Sequence, residues 1–340
     1  MTAAAHPTPA ATEAAPVLSV EGLDVTIRTA SGPWLVVRDM AFDVAAGETL
    51  CIVGESGCGK SMTALSLIGL QPEAAWVSGG RVRLDGEDLA RAPRRRLEDV
   101  RGQEIAMIFQ EPLTSLNPVM RIGDQIAEGL RRHKGLSRSA GAARAVEMLK
   151  SVRMPDAVMR ARQYPHQLSG GMRQRAMIAL ALACQPRVLI ADEPTTALDV
   201  TIQAEILRLI ADMQRAMGTG LILITHDLGV VAEMADKVIV MYAGARVEEA
   251  RVEALFDDPK HPYTRALMAA MPHRRSEGAA RQDLAEIKGT VPRPEDLPAG
   301  CAFAPRCPIA TPRCHAEPPP LEVKAPAHTA ACWEVPRHDG

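Results

Sequence analysis

Apolar and polar residues alternate through Val17–Ile27 and again through Trp34–Val44. That period-two pattern predicts two half-buried strands, with Ser31-Gly32-Pro33 as the turn between them. Thr49–Val53 is a short apolar run that reads as a buried strand, and it feeds a glycine-rich loop and a helical pattern reaching about Leu70. A second β-rich stretch, Gly80–Leu84, ends at an Asp85-Gly86 turn, and Ile105–Phe109 reads as another strand. From Pro118 to Pro165 the pattern is helical, broken at Gly135 and Pro155, and a further helix follows Ser169-Gly170-Gly171. The strand Val188–Ala191 runs into two acids, a helix covers roughly Thr201–Met217, and the strand Leu221–Thr225 ends at His226. Strands alternating with helices predict an α/β fold, a parallel sheet covered by helices behind a β-rich N-terminal part. Beyond about residue 255 periodicity fades and prolines crowd in, among them Pro292, Pro294, Pro298 and Pro318–Pro320. The organisation expected is therefore a disordered Ala/Pro/Thr tail over residues 1–16, a main domain over 17–255 and an irregular C-terminal extension over 256–340. The main domain holds a helical portion at about 118–180. A polar stretch near His273–Asp283 would join the extension.

Composition narrows the classes. Lys plus Arg number 39 against 41 Asp plus Glu, so no strongly basic surface marks a dedicated nucleic-acid binder. Aromatics are only 3% of the chain, so the core must be built from aliphatic residues and Met. The longest apolar run, residues 176–184, falls well short of the roughly 20 residues a bilayer-crossing helix needs. The N-terminus lacks a basic start and an apolar segment, which predicts a reducing compartment and disfavours disulfides among the seven cysteines. The arginines at 91, 94, 95, 96 and 101 are flanked by Glu87, Asp88, Glu98 and Asp99 and read as a solvated mixed-charge face.

The chemistry concentrates in three segments. Gly54-Glu55-Ser56-Gly57-Cys58-Gly59-Lys60-Ser61 matches G-x-x-x-x-G-K-[ST] between a predicted strand and a predicted helix. Glycines let backbone N–H groups point at a phosphate, and the helix N-terminus adds positive potential. Lys60 would reach the β- and γ-phosphates, and the Ser61 hydroxyl would bind Mg²⁺. Met62 follows in the first helical turn. Asp192, closing an apolar strand, suits the Mg²⁺ shell, and Glu193 beside it suits a base that polarises water against the γ-phosphate. Gln110, at the end of Ile105–Phe109, is placed to reach the metal or that water, and His226 to hold the water and contact the γ-phosphate. Cys58, near a helix N-terminus, is expected to have a lowered thiol pKa and to be open to alkylation. A small spacer is the alternative reading.

With Leu168-Ser169-Gly170-Gly171-Met172 the chain resembles the ATP-binding subunits of ABC transporters. The phosphate loop, Gln110, this signature, Asp192-Glu193, the Ala197-Leu198-Asp199 loop and His226 follow in the same order over about residues 17–272. The resemblance implies an ABC-type ATPase with a β-rich subdomain and a helical subdomain. It implies that Ser169, Gly170 and Gly171 cap the nucleotide held by a second subunit, and that Asp199 connects the two half-sites. The family also stacks adenine on an aromatic ring ahead of the phosphate loop. Trp34 is the nearest ring here, either in that role or as a packed turn residue.

Three further stretches resemble the ATPase subunits of bacterial dipeptide and oligopeptide importers: Ile108–Pro118, His261–Leu267 and Gly300–Pro308. That resemblance implies ATP hydrolysis driving uptake of di- or oligopeptides through two separate permease subunits, with an extracytoplasmic binding protein involved indirectly. The chain would lie peripherally on the cytoplasmic face of the bacterial inner membrane. Residues 110–165 would engage short helices of the permeases. The second ATPase would be a related chain, an identical copy being the alternative. A nickel complex or glutathione is the alternative cargo, and a non-transport ABC ATPase is the more distant reading. Cys301, Cys307, Cys314 and Cys332 are spaced unlike a zinc ribbon, yet four thiols in a core-poor segment suggest a metal staple. A 4Fe–4S cluster is what the resemblance implies, with Zn²⁺ and free thiols or disulfides as the alternatives.

Overall fold

The computed structural model describes residues 15–111, 115–196, 199–271 and 287–338. Residues 1–14 of the expected tail, Ala197 and Leu198 of the Asp199 loop, and the joining stretch 273–283 lie outside the described residues.

The first two strands are β1 (Leu18–Thr29) and β2 (Gly32–Val44), antiparallel through nine matched pairs from Leu18 and Val44 to Thr29 and Gly32. β4 (Ala75–Leu84) and the short β5 (Glu87–Asp88) extend this wing outward, and Asp85 and Gly86 turn between them with positive φ. The wing alternates buried and exposed residues because one face lies on the core and the other in water. The second layer of strands is parallel. β3 (Thr49–Val53) lies between β8 (Gly220–Thr225) and β9 (Lys237–Tyr242), and β7 (Val188–Asp192) and β6 (Ile105–Ile108) follow on the β8 side. β3, β6, β7 and β8 are buried at every position, as their unbroken apolar sequences require. β9 and β10 (Ala245–Arg251) form an antiparallel hairpin that the alternation pattern does not single out, and a single parallel pairing of Ala245 with Arg38 joins β10 to β2.

The helical portion comprises Ile122–Lys134, Arg138–Ser151 and Ala157–Arg160, with Gly135 in the left-handed region at the predicted break. The helix Gly170–Leu182 then returns to the sheet and buries Ala176–Ala179 in the core. Arg91, Arg94 and Arg95 are exposed as expected and Arg96 spans Glu87 and Glu104 at 2.7 Å each, but Arg101 is half-buried and donates to the carbonyls of Ile68 at 2.7 Å and Gly69 at 2.6 Å.

The C-terminal extension differs from its sequence expectation. Its described part is irregular for most of its length, yet β11 (Glu322–Ala325) and β12 (His328–Ala330) form a hairpin, and β12 pairs with β10, so the extension continues the main sheet. Its Phe303 is 1% exposed and packs edge-on against Tyr242 of β9 and obliquely on Tyr263, all three inside the core that also holds the helical portion. A chain poor in aromatics thus concentrates three at one junction, where each buried ring contributes about 2–3 kcal/mol. The signal missed was polar: Glu248 of β10 is fully buried and accepts from the Lys260 N–H at 2.6 Å and the His261 N–H at 2.9 Å, and its Oε1 lies 2.6 Å from His328 Nε2. One carboxylate therefore holds β10, the turn before the helix Pro262–Ala269, and β12 together.

Candidate active site

The phosphate loop connects β3 to the helix Lys60–Leu67. Gly59 caps that helix at φ 104°, and a Cβ there would stand 2.8 Å from the Val36 carbonyl. At Gly54, φ 156°, a Cβ would collide with the Met241 carbonyl and the Cys58 thiol. Both positions thus need glycine for conformation and for room. Lys60 is 5% exposed, and its ammonium donates to the carbonyls of Gly54 at 2.7 Å and Glu55 at 3.0 Å. A cavity of about 780 Å³ opens over this loop, and Gly54–Gly57, Gly59–Met62, Gln110, Glu193 and His226 all line it.

Glu193 organises one side of the cavity. Its backbone sits at φ 45°, a left-handed conformation that costs a non-glycine residue about 1–3 kcal/mol and is met mainly where function holds it. The Gln110 amide donates to its Oε2 at 2.9 Å, the Thr196 hydroxyl donates to the same oxygen at 3.0 Å, and His226 Nδ1 lies 3.4 Å from Oε1. Three residues from three separate loops thereby fix one carboxylate at the cavity. The sequence had assigned Gln110, Glu193 and His226 separately; Thr196 is an addition.

Asp192 is 4% exposed, and its Oδ1 has no hydrogen-bond partner among the described residues. Burial pushes its carboxyl above the usual carboxylate range, against the pull of the Ser61 hydroxyl and the Lys60 charge. A buried carboxylate oxygen without a partner, behind the Ser61 hydroxyl, is a donor set that fits Mg²⁺; Ser61 and Gln110 line the cavity and Asp192 lies beneath Ser61 rather than on the wall.

Ser169, Gly170, Gly171 and Asp199 do not line the cavity. Ser169 caps the helix Gly170–Leu182, accepting from the Met172 N–H at 3.4 Å, and Asp199 caps Val200–Met217, accepting from the Ile202 N–H at 3.0 Å. Gly171 is closely covered: a Cβ would stand 3.2 Å from Ile202 Cγ2.

Two expectations need correction. Trp34 is absent from the cavity wall. Its indole N–H donates to the Ser31 hydroxyl at 3.1 Å beside the β1–β2 turn, and Leu35 and Val36 line the cavity instead. Cys58 is 1% exposed, and burial pushes its thiol up despite the nearby Lys60, so helix position is outweighed by desolvation and the thiol is shielded from alkylation.

The extension reaches this site, which the sequence reading did not foresee. The Glu55 N–H donates to the Tyr263 hydroxyl at 2.8 Å. Arg306, its side chain 6% exposed, donates to both Glu55 carboxylate oxygens at 2.9 and 3.0 Å and to the Tyr242 hydroxyl at 3.2 Å. Pro292, Pro294 and Leu297 line the cavity. In the sequence the signal for this contact is Arg306, a cation within the Gly300–Pro308 stretch.

Those cysteines, Cys301, Cys307, Cys314 and Cys332, are all unbridged and line one narrow cavity of about 10 Å³ with Phe303 and His261. Gly300 makes the approach possible, since a Cβ there would strike the Cys314 carbonyl, to which the Cys301 N–H donates at 2.7 Å. Among the described residues no three His, Cys, Asp or Glu side chains stand close enough to share one metal ion. No described helix is long and apolar enough to cross a membrane.

A family model described as ABC transporter matches residues 37–196, and one described as the C-terminal region of oligopeptide/dipeptide transporters matches 247–314. A probable peptide ABC transporter ATP-binding protein of Sinorhizobium fredii is 55% identical over 86% of this chain and 87% of its own length. The dipeptide transport ATP-binding protein DppD of Bacillus subtilis is 48% identical over 93% and 94%, and the oligopeptide transport ATP-binding protein OppD of Salmonella typhimurium 48% over 94% and 93%. Among solved structures, a dimeric ATP-binding cassette in a post-hydrolysis state, bound to ADP and Pi, superposes with a TM-score of 0.62 at 26% identity, covering 69% of this chain and 98% of that one.

Proposed function

We propose, starting from the fact that this chain belongs to the ABC transporter family of ATP-binding proteins, that it is the ATP-hydrolysing subunit of an importer of di- and oligopeptides. The observation that carries the reading is the convergence of Gln110, Thr196 and His226 on Glu193 at the wall of the phosphate-loop cavity. In this arrangement the loop N–H groups and Lys60 bind the β- and γ-phosphates of ATP. Glu193 orients an attacking water and takes its proton, while Gln110 and Thr196 hold the carboxylate in place. His226, on the other carboxylate oxygen, contacts the γ-phosphate. Ser61, Asp192 and Gln110 would hold Mg²⁺, which would supply charge neutralisation on the phosphate oxygens.

Ser169, Gly170, Gly171 and Asp199 point to a second ATPase subunit. Ser169, Gly170 and Gly171 open a helix N-terminus with anion-binding character and the Asp199 carboxylate caps another, all outside this chain's own cavity, as expected of groups that complete a partner's site. A related rather than identical partner, two permease subunits, an extracytoplasmic binding protein and a peripheral place on the cytoplasmic face of the membrane belong to the same reading. The relatives' peptide-transport names support the cargo, as does the match of residues 247–314.

A 4Fe–4S group at the four cysteines of the extension belongs to the same reading, with Zn²⁺ as the alternative. All four thiols are unbridged and line one cavity, and four thiolates are the usual ligand set of such a cluster. Cluster ligation by Cys301, Cys307, Cys314 and Cys332 would supply a structural staple. Iron and zinc content after anaerobic purification separates the two.

Uptake of labelled di- and oligopeptides by a strain deleted for this chain tests the function. The reading expects uptake to be lost and restored by the wild-type chain. Unaltered peptide uptake with lost uptake of a nickel complex or glutathione would overturn the cargo.

A further inference from the structure

The cavity over the phosphate loop has polar and apolar lining. The polar lining is the phosphate loop with Gln110, Glu193 and His226. The apolar part of its wall comes from Leu35 and Val36 of β2, from Leu228 and Ala243, and from Leu267, Pro292, Pro294 and Leu297 of the extension. The turn Pro294–Asp296 packs directly against β2. Val36, Pro292, Pro294 and Leu297 are half-buried and Leu35 is exposed, so apolar surface remains open on this wall. Among the described residues no Phe, Tyr or Trp lines the cavity.

We propose that this apolar wall, half of it contributed by the C-terminal extension, is the seat of the nucleotide's base. The inference rests on the ATP-binding reading above. A purine is a flat, weakly polar ring system, and once its phosphates are held by the loop its faces gain from leaving water against any apolar surface. Proline suits such a surface because its ring is rigid and loses little entropy on contact. The wall is also fastened to the phosphate loop. Arg306 donates from Nε to the Lys288 carbonyl at 2.9 Å and from Nη2 to those of Ile287 at 3.1 Å and Gly289 at 3.2 Å, while Nη1 and Nη2 also hold Glu55. One guanidinium thereby sets the segment leading to Pro292–Leu297 at a fixed distance from the loop that holds the phosphates. Arg306 is a positioning residue, and Pro292, Pro294 and Leu297 are the contact residues.

The test compares ATP with inorganic tripolyphosphate, which carries the phosphates without the base, on the full chain. For Leu297→Ser and, separately, Pro294→Gly, ATP should bind about fivefold or more weakly with tripolyphosphate binding unchanged. Unchanged ATP affinity overturns the proposal, and so does an equal loss for both ligands, which would put the effect on the phosphate loop. A second measurement needs no variant: 8-azido-ATP photolabelling of the wild-type chain should mark the peptide holding Pro292–Leu297 in a manner competed by ATP. ATP-competed label found only elsewhere overturns the proposal while leaving the ATPase reading intact. Absence of any ATP-competed binding overturns both.

Discussion

The phosphate loop and the C-terminal extension meet at Glu55 and are held in opposite ways. The loop is held by its own backbone. Gly54 and Gly59 take conformations and approaches other residues cannot, and Lys60 folds back on two carbonyls within six residues of itself. The extension is held by side chains acting over long separations: Arg306 on Glu55, 251 positions away, and His328 on Glu248, 80 positions away. Local backbone constraints leave a fixed spacing in the sequence. Long-range side-chain contacts leave only isolated charges, whose partners the fold alone reveals. The substitutions that follow probe each half separately.

Glu193→Gln should have the largest effect. It preserves size and the hydrogen bonds from Gln110 and Thr196 but removes the base, so ATP turnover should fall roughly 10²- to 10⁴-fold while ATP still binds. Steady-state phosphate release and equilibrium nucleotide binding, measured together, check this. Turnover near wild type would take the base assignment away from Glu193.

That contrast also explains what could be read in advance. β3, β6, β7 and β8 were legible because each is an unbroken apolar run, and Gln110, Glu193 and His226 because each ends such a strand. Their mutual contact was not legible, because the hydrogen bonds join loops from three strands and depend on sheet order. Trp34 carried two readings, an adenine stack and a packed turn residue, and its bond to Ser31 fits the second, because ring character near the loop is a weak signal. Cys58 likewise fits the small spacer rather than the reactive thiol, because helix position is visible in sequence and burial under Gly54 is not. The sheet-forming part of the extension escaped notice because β11 and β12 are only four and three residues long.

Glu248→Ala tests the other half. It strips the partner from two backbone N–H groups and from His328 in a site closed to water, a loss of about 3 kcal/mol. Hydrogen exchange should rise in β12 and in the turn before Pro262 while β3 and β8 stay protected. Equal loss of protection across the whole sheet would mean that the extension and the ATPase core unfold as one unit.

A smaller effect is expected where the halves join. Arg306 and Glu55 form a two-pronged, largely buried pair, and their coupling in a double-mutant cycle of Arg306→Ala and Glu55→Ala should be about 2 kcal/mol. Urea unfolding of the four chains measures it. Coupling near zero would mean that Phe303 and the tyrosines alone dock the extension.

The smallest effect on stability separates a local role from a partner-directed one at Asp199. Its carboxylate caps the helix Val200–Met217, and Asp199→Ala should cost about 1 kcal/mol for that reason alone. Asparagine caps as well as aspartate, so Asp199→Asn should leave stability within a few tenths of a kcal/mol of wild type. It does remove the negative charge that a partner subunit would meet. If Asp199 connects half-sites across a dimer, the Asn variant should fold normally and hydrolyse ATP more slowly when assembled with its partner. Full activity of the assembled Asn variant would reduce Asp199 to a helix cap, whose reach, like that of the glycines in the phosphate loop, extends no further than its own turn.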